Sequence, residues 1–279
     1  MNLPQPLFIN YPLMDTWRLL ITPPAHGAWN MAVDESILKS MGSDGSLPTL
    51  RLYAWEPACL SLGYAQPLTD VDLPRLHAHG WELVRRPTGG RAVLHTDELT
   101  YSVIAPLNEL RVAGTVLESY RRLAQALVQA LTQLSLPVQV NENSSAPTAK
   151  AVNPVCFEVP STYEITVGGK KLVGSAQARR KEGVLQHGSL PLSGDLTRII
   201  QVLTFPDEAS RARAAARLLE RATTVEAALS RKVAWAEAAR AYISAFSSVL
   251  GLDLQPDELT QNEKMRAEEL VRNKYWQPS

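Results

Sequence analysis

The sequence predicts an α/β fold in which helices flank a mixed, largely antiparallel sheet. Three observations lead to this prediction. Short strand-like runs are joined by hairpin turns, the clearest being Gly168-Gly169 between two β-rich segments. A strongly amphipathic helix is predicted over 117–134, and the pattern becomes helical from about residue 193. Since hairpins outnumber strand–helix–strand crossovers, an all-parallel sheet is not expected.

The first half of the chain is expected to be rich in strands. Apolar residues spaced through 28–41 predict a helix packed on a core, and a linker rich in Gly, Ser and Pro follows it. The predicted strand segments after this linker are TLRLYAW, CLSLGY, WELVRR, AVLH and LTYSVIAPL.

The second half begins with an irregular loop, 141–155, which is too polar and too rich in proline for regular structure. A hairpin follows over 163–180, and VLQHGSLPL is interpreted as one more strand. The helical segments predicted after it are DLTRIIQVL, DEASRARAAARLLERA, the Ala-rich span Val225 to Leu250, and the closing NEKMRAEELVRNKYW. Residues 1–279 are interpreted as a single domain with a helical C-terminal portion from about residue 193.

Composition excludes several classes of function. Lys+Arg and Asp+Glu both number 28, so no overall field attracts nucleic acid or a membrane surface, although local basic groups are expected at Arg85, Arg86, Arg91 and 179–181. The two cysteines indicate no disulfide framework. No apolar run approaches the length of a membrane span, and the N-terminus lacks the features of a signal peptide. We therefore expect a cytoplasmic protein, and the absence of metal-ligand spacing predicts no metal.

A cysteine and a lysine on neighbouring segments point to acyl-transfer chemistry. Cys156 ends a loop, where a thiol could hold an acyl group as a thioester, and Lys171 lies in the hairpin that follows. Lys170 and Lys171 must face opposite sides of a strand, so spacing alone does not choose between them. Cys59 lies in an apolar run and is assigned to the core.

A Gly-rich turn, RRPTGGRAVLH at 85–95, is the second candidate feature. Its glycines would let the backbone approach a carbonyl or a phosphate, although a plain turn is the alternative interpretation. The spacing is that of neither a phosphate loop nor a dinucleotide fingerprint. His95 and His187 are candidates for acid–base groups or for hydrogen-bonded structural residues.

Two blocks, RRPTGGRAVLHTDELTYSV and GGKKLVGSAQARRKEGVLQHGSL, together resemble the lipoate–protein ligase and octanoyltransferase family. The resemblance implies a catalytic domain like that of biotin and lipoyl protein ligases, with an acyl tunnel beside the Gly-rich turn. It also selects Lys171 over Lys170, because the family's lysine precedes a hydrophobic-Gly-Ser-Ala segment. The substrate-binding residues that it implies are Arg85, Thr88, Gly89, Gly90, Arg91, His95, Gly174, Ser175, Ala176, His187 and Gly188.

The segment CFEVPSTYEI, which begins at Cys156, is similar to the cysteine-dependent octanoyltransferases. That similarity implies transfer of octanoyl from octanoyl acyl carrier protein, through a Cys156 thioester, to a lysine of an apo lipoyl domain or of glycine cleavage H protein. Lys171 would stabilise the oxyanion, and neither ATP nor a cofactor would be needed. The alternatives are an ATP-dependent lipoate–protein ligase, an octanoyl amidotransferase between lipoyl proteins, and a lipoyl-protein binding module without catalysis.

Overall fold

A computed structural model describes residues 14–42, 46–142 and 163–275. Within these ranges the chain has eleven β-strands and eight α-helices, which confirms the α/β class. The strands are β1 (Asp15–Ile21), β2 (Thr49–Tyr53), β3 (Cys59–Leu62), β4 (Glu82–Arg85), β5 (Val93–His95), β6 (Glu98–Ala105), β7 (Val138–Glu142), β8 (Tyr163–Val167), β9 (Lys170–Arg180), β10 (Gly183–Pro191) and β11 (Leu252–Pro256). The helices are α1 (Gly27–Met41), α2 (Leu73–Ala78), α3 (Val116–Gln133), α4 (Arg198–Gln201), α5 (Glu208–Arg221), α6 (Val225–Leu229), α7 (Trp235–Leu250) and α8 (Gln261–Leu270). None of these helices is long and apolar enough to cross a bilayer.

Eight strands form one large sheet in the order β11-β1-β2-β6-β10-β9-β8-β7. The β11-β1 and β1-β2 pairs are parallel, and every pair from β2-β6 to β8-β7 is antiparallel. The prediction of a mixed, largely antiparallel sheet is therefore confirmed. Three strands form a smaller sheet, β4-β3-β5, which holds the Gly-rich turn between its two outer strands.

Helices cover both faces of the large sheet. On one face α3 and α7 enclose a core that includes Trp17, Tyr101 and Phe246. On the other face α1 and α8 pack over a second core, which includes Met31 and Ile37. The small sheet packs with α4 and α5 around a third cluster of apolar side chains. The predicted site residues of β9 and β10 thus lie in the middle of a sheet that is covered on both sides.

Helix α3 lies within one residue of the predicted span 117–134 at each end. Thr115 accepts a hydrogen bond from the backbone of Glu118, and the Glu118 carboxylate accepts one from the backbone of Thr115, so the two form a capping box. Leu123, Leu127 and Leu131 are buried along one side, as the apolar spacing requires.

The predicted hairpin over 163–180 is also confirmed. Gly168 and Gly169 have φ angles of 56° and 76°, and glycine adopts these left-handed conformations without the steric cost that a side chain would add. β9 and β10 then pair along most of their length, which aligns Ala176 with His187 and Ser175 with Gly188.

The sequence prediction missed β11 and β1 at one end of the large sheet and β7 at the other. β11 pairs with β1, and β1 also pairs with β2, so these strands depend on partners that are distant in the sequence. The C-terminal portion is therefore mostly helical rather than wholly so. The Ala-rich span is also divided into α6 and α7, because Ser230 adopts a left-handed conformation with φ 54°. β7 includes the first two residues of the predicted 141–155 loop, and the rest of that loop lies outside the described residues.

We expect Thr115→Ala to lower the free energy of unfolding by about 1 kcal/mol, because it removes the oxygen that caps α3. Thr132→Ala is the matched control, since Thr132 is an exposed residue of the last turn of the same helix. Its effect should stay within about 0.5 kcal/mol. Urea unfolding followed by circular dichroism would measure both, and equal losses would argue against the capping role.

Candidate active site

The Gly-rich turn at 87–91 is built around a buried arginine. The Arg86 guanidinium donates to the carbonyl of Ser61 at 2.9 Å, to that of Gly89 at 3.0 Å and to that of Arg91 at 2.6 Å. Arg86 is only 4% exposed. Five donors in a rigid plane let one side chain satisfy carbonyls on both sides of the turn. Arg86 therefore fixes the shape of the turn from below.

A close backbone contact positions the same turn from the side. A Cβ atom on Gly63 would lie 1.9 Å from the Gly90 carbonyl oxygen, so only glycine fits at residue 63. Gly90 has a φ of 91°, which also favours glycine, and the Tyr64 amide donates to the Thr88 carbonyl at 2.9 Å. Sequence reasoning did not identify Gly63 as a site residue. Its position directly after a strand was the signal that could have indicated a close backbone contact.

His187 connects the turn to the core of the protein. Its Nε2 lies 2.6 Å from the Thr88 hydroxyl, and its Nδ1 lies 3.5 Å from a carboxylate oxygen of Asp34 on α1. Burial lowers the pKa of His187 despite the opposing effect of the Asp34 charge, so the imidazole is neutral at pH 7. Burial would by itself raise the pKa of Asp34, but Arg51 and His187 hold it below its usual value. The sequence had marked His187 and Thr88, but not Asp34.

His95 is held by a second buried chain of hydrogen bonds, similar to the Asp34–His187–Thr88 chain; we call each chain a histidine relay. Its Nδ1 lies 2.7 Å from Glu98, its Nε2 lies 2.7 Å from the Ser61 hydroxyl, and its ring stacks on Trp55 at a centroid distance of 4.0 Å. Burial opposes ionisation of Glu98, but His95 and neighbouring hydroxyls lower the pKa of this carboxyl. Because Ser61 also accepts from Arg86 at 3.0 Å, this relay too ends at the base of the turn.

A cavity of about 50 Å³ lies between the Gly-rich turn and strands β9 and β10. Its wall brings together many of the predicted substrate-binding residues, although they come from three separate parts of the sequence. The predicted residues that line it are Gly90, His95, Gly174, Ser175, Ala176, His187 and Gly188. The residues that sequence reasoning did not include are Met31, Trp55, Ser61, Arg86, Val93, Thr100 and Ser189.

Four predicted residues lie around this cavity rather than in its wall. Thr88 is buried behind His187, and Gly89 is exposed at the tip of the turn. Arg91 is half-buried. Arg85 is half-buried on the outer side, where it donates to the Gly63 carbonyl at 2.9 Å.

Glycine at residue 188 allows β9 and β10 to pack closely beside the cavity. A Cβ there would lie 2.5 Å from the Ser175 hydroxyl oxygen and 2.6 Å from the Tyr101 ring. The Ser175 hydroxyl lies 2.8 Å from the Tyr101 hydroxyl, which belongs to the core under α3 and α7. The Ser175 hydroxyl therefore faces away from the cavity.

Lys171 and Lys170 have different environments, as alternation along a strand predicts. Lys171 is 6% exposed, and its Nζ lies 3.2 Å from a carboxylate oxygen of Glu164. The neighbouring Leu172 packs into the core under α3, so the Lys171 side chain lies on the opposite face of the sheet. Lys170 is partly exposed, and its Nζ donates to the Leu219 carbonyl at 2.6 Å. Lys171 is therefore the buried lysine of the pair.

The register of β9 changes directly after Lys171. Thr166 pairs with Lys171, whereas Ile165 pairs with Val173, so Leu172 is an extra residue in β9. Such a bulge turns the residues beyond it relative to those before it. Gly174 comes next along the strand and lines the cavity, although Lys171 itself is not part of the cavity wall.

The structure describes the surroundings of Cys59 but not those of Cys156. Cys156 lies outside the described residues. Cys59 is fully buried, and burial raises the pKa of its thiol, as do Glu82 and Glu98. The prediction that Cys59 is a core residue is confirmed. Within residues 14–42, 46–142 and 163–275, no three His, Cys, Asp or Glu side chains are placed to hold a metal ion.

Comparison with known proteins places this arrangement in a family. Residues 26–247 match the lipoyl protein ligase A/B catalytic domain. The octanoyltransferase LipM of Moorella thermoacetica is 43% identical over 94% of this chain and 96% of its own. LipM of Symbiobacterium thermophilum is 40% identical over 93% of this chain and 95% of its own.

Solved structures show the same fold. The bipartite lipoate protein ligase of Thermoplasma acidophilum superposes with a TM-score of 0.77 at 30% identity, over 93% of each chain. A lipoate-protein ligase A bound with ATP has a TM-score of 0.76 at 29% identity, over 93% of this chain and 95% of the other.

The chain belongs to the lipoyl protein ligase A/B catalytic-domain family. Within that family it is an acyltransferase, an octanoyltransferase of lipoate biosynthesis. The predicted family, fold and class of reaction are thereby confirmed, and neither the ligase nor the amidotransferase alternative is favoured.

Because His187 is buried and neutral, we expect the free energy of unfolding to depend on pH. Its folded-state pKa is below the ordinary value of 6.5, so the unfolded chain binds a proton here that the folded chain does not. The free energy of unfolding should therefore fall as pH is lowered through 6.5, by at most about 1.4 kcal/mol per pH unit from this group. Urea unfolding between pH 7 and 5.5 would measure it.

His187→Gln should remove this part of the slope, and His77→Gln, which changes an exposed histidine, should keep it. A His187→Gln variant with the full wild-type slope would assign the pH dependence to another group.

Proposed function

We propose that the enzyme takes octanoyl from octanoyl acyl carrier protein, holds it on Cys156 and passes it to a lysine of a second protein. In the first step the Cys156 sulfur attacks the donor's thioester carbonyl, and a new thioester replaces the old one. The carrier's thiol leaves and takes up the proton that Cys156 gave up. In the second step the acceptor amine attacks, an amide forms, and the Cys156 thiol is regenerated with the amine's proton.

The proposal depends most on the environment of Lys171. A buried ammonium, paired with Glu164 and next to the strand segment that lines the cavity, is a preorganised donor for an acyl carbonyl. It would donate a hydrogen bond to the oxygen that becomes negative when the carbonyl is attacked. The Glu164 carboxylate keeps the ammonium group in place. We therefore propose Lys171 as the residue that stabilises the oxyanion.

The cavity beside the Gly-rich turn is the proposed site for the acyl chain. Met31, Trp55 and Val93 give it an apolar wall, and the Gly90 and Gly174 backbone completes it. At the mouth of this cavity Thr88 bonds to His187, and the carbonyls of Gly89 and Arg91 accept from Arg86. Arg85 donates to the Gly63 carbonyl on the outer side of the turn. The two histidine relays keep this wall in one conformation, which favours a defined position of the reacting carbonyl.

No nucleotide is needed for this sequence of steps. Exchange between two thioesters is nearly isoenergetic, and conversion of a thioester to an amide is downhill, so activation by ATP would add nothing. The proposed acceptor is an apo lipoyl domain or glycine cleavage H protein. This is consistent with the Thermoplasma acidophilum ligase, whose structure was determined as part of a system with its E2 lipoyl domain.

Incubation with octanoyl acyl carrier protein, without ATP or magnesium, should add one octanoyl group to the enzyme. Intact-mass spectrometry would detect it, and hydroxylamine should remove it because the bond is a thioester. Cys156→Ala should abolish the adduct, whereas Cys59→Ala should keep it, since the Cys59 thiol is buried and its pKa is raised.

An adduct that persists in Cys156→Ala would contradict the covalent step. Free lipoate with ATP and magnesium should give little or no transfer to an apo lipoyl domain. Efficient lipoylation under that condition, unaffected by Cys156→Ala, would identify an ATP-dependent ligase instead.

Lys171→Ala should lower the transfer rate by about 10²–10³, the typical effect of losing one preorganised oxyanion donor. Lys170→Ala is the matched control, because the adjacent lysine is partly exposed and donates to the Leu219 carbonyl on α5 instead. Its effect should be much smaller. Steady-state kinetics with octanoyl acyl carrier protein would compare them, and equal losses in the two variants would remove Lys171 from this role.

A further inference from the structure

A second and larger cavity lies on the other side of the Gly-rich turn. Its volume is about 340 Å³, and it is enclosed by α1, the turn between β4 and β5, the turn between β9 and β10, and the π-helical turn Val271–Tyr275. Arg86 lines both this groove and the acyl cavity. The groove is therefore separated from the acyl cavity by little more than one side chain.

The groove is positively charged although the whole chain is neutral. Lys39, Arg85, Arg86, Arg180 and Lys274 line it, against two carboxylates, Glu35 and Glu182. One of these carboxylates is already satisfied: Glu35 lies 2.6 Å from Lys274 Nζ and 3.4 Å from Lys39 Nζ, and it also accepts from Tyr275. Local positive charge thus remains for a ligand.

Two arginines on the wall of the groove are held by backbone carbonyls instead of carboxylates. Arg85 donates to the carbonyls of Gly63 at 2.9 Å and Gln66 at 2.5 Å. Arg180 donates to the Pro87 carbonyl at 3.4 Å and lies 5.9 Å from the centre of the Tyr64 ring. In the part of the chain that the structure describes, neither arginine has a carboxylate within ion-pair distance. Guanidinium groups in such positions are suited to bind a phosphate ester.

We propose that this groove binds the phosphate of the donor's phosphopantetheine arm, an inference that rests on the proposed function. The acyl carrier protein presents octanoyl as a thioester at the end of that arm, and the arm's phosphate is its only charged group. With the phosphate between Arg85 and Arg180, the pantetheine chain passes Arg86 and the Gly89-Gly90 turn. The thioester then reaches the acyl cavity past Arg86, the side chain that borders both spaces.

The test compares two small donors that differ only in the phosphate, octanoyl-phosphopantetheine and octanoyl-pantetheine. The wild-type enzyme should prefer the phosphorylated donor by about tenfold in kcat/KM, mainly through a lower KM, as expected for one charge-assisted contact. In Arg180→Gln that ratio should approach one. Arg240→Gln is the matched control, because it removes an exposed positive charge from α7, on the other face of the sheet, and it should keep the wild-type ratio.

A wild-type ratio of one, or a tenfold ratio that survives in Arg180→Gln, would overturn the proposal. Failure of the proposed function would appear differently, as a wild-type enzyme that transfers octanoyl from neither small donor nor the carrier protein. In that case, calorimetry with phosphopantetheine alone would test whether the groove binds the phosphate. Binding that is lost in Arg180→Gln and kept in Arg240→Gln supports the site, and an absence of binding to wild type overturns it.

Discussion

The rest of the structure depends on the buried Asp34 carboxylate and on the hydrogen bonds that it accepts. It lies on α1, is fully buried, and accepts from Arg51 at 2.8 Å, from Tyr53 at 3.0 Å and from Ser102 at 3.0 Å. These partners belong to β2 and β6, so one anion fastens α1 to the centre of the large sheet. A buried charge is costly unless it is paired, and removal of one partner from such a pair typically costs about 3–5 kcal/mol. The strands and the helix therefore hold each other in a single register.

The same anion connects the core to the proposed active site. Asp34 faces His187, and His187 bonds to Thr88 at the start of the Gly-rich turn. The Glu98–His95 relay reaches the other end of the turn through Ser61 and Arg86. The turn is thus held from two sides by buried polar groups. A rigid turn suits acyl transfer, because the donors around a developing oxyanion must be in place before the reaction begins.

The site combines strand geometry with a local irregularity. Alternation along β9 separates Lys171 from Lys170, and the bulge at Leu172 changes the register between Lys171 and Gly174. Gly63 and Gly188 let backbone and side chains approach where any larger residue would collide. The proposed acyl cavity and the charged groove then lie on either side of Arg86. This one side chain supports the turn and borders both spaces.

The sequence by itself determined the features that depend on neighbours along the chain. The period of α3, its capping box, the Gly168-Gly169 hairpin and the burial of Cys59 all follow from local pattern. Family resemblance added the class of reaction, which the relatives confirm. Only the tertiary structure decided the features that need distant partners. β11 is a strand because it pairs with β1, and β1 in turn pairs with both β11 and β2. Arg86 is a buried scaffold because three carbonyls accept from it. The role of Asp34 is of the same kind, since nothing near it in the sequence shows that a carboxylate on an apolar helix will meet Arg51, Ser102 and His187.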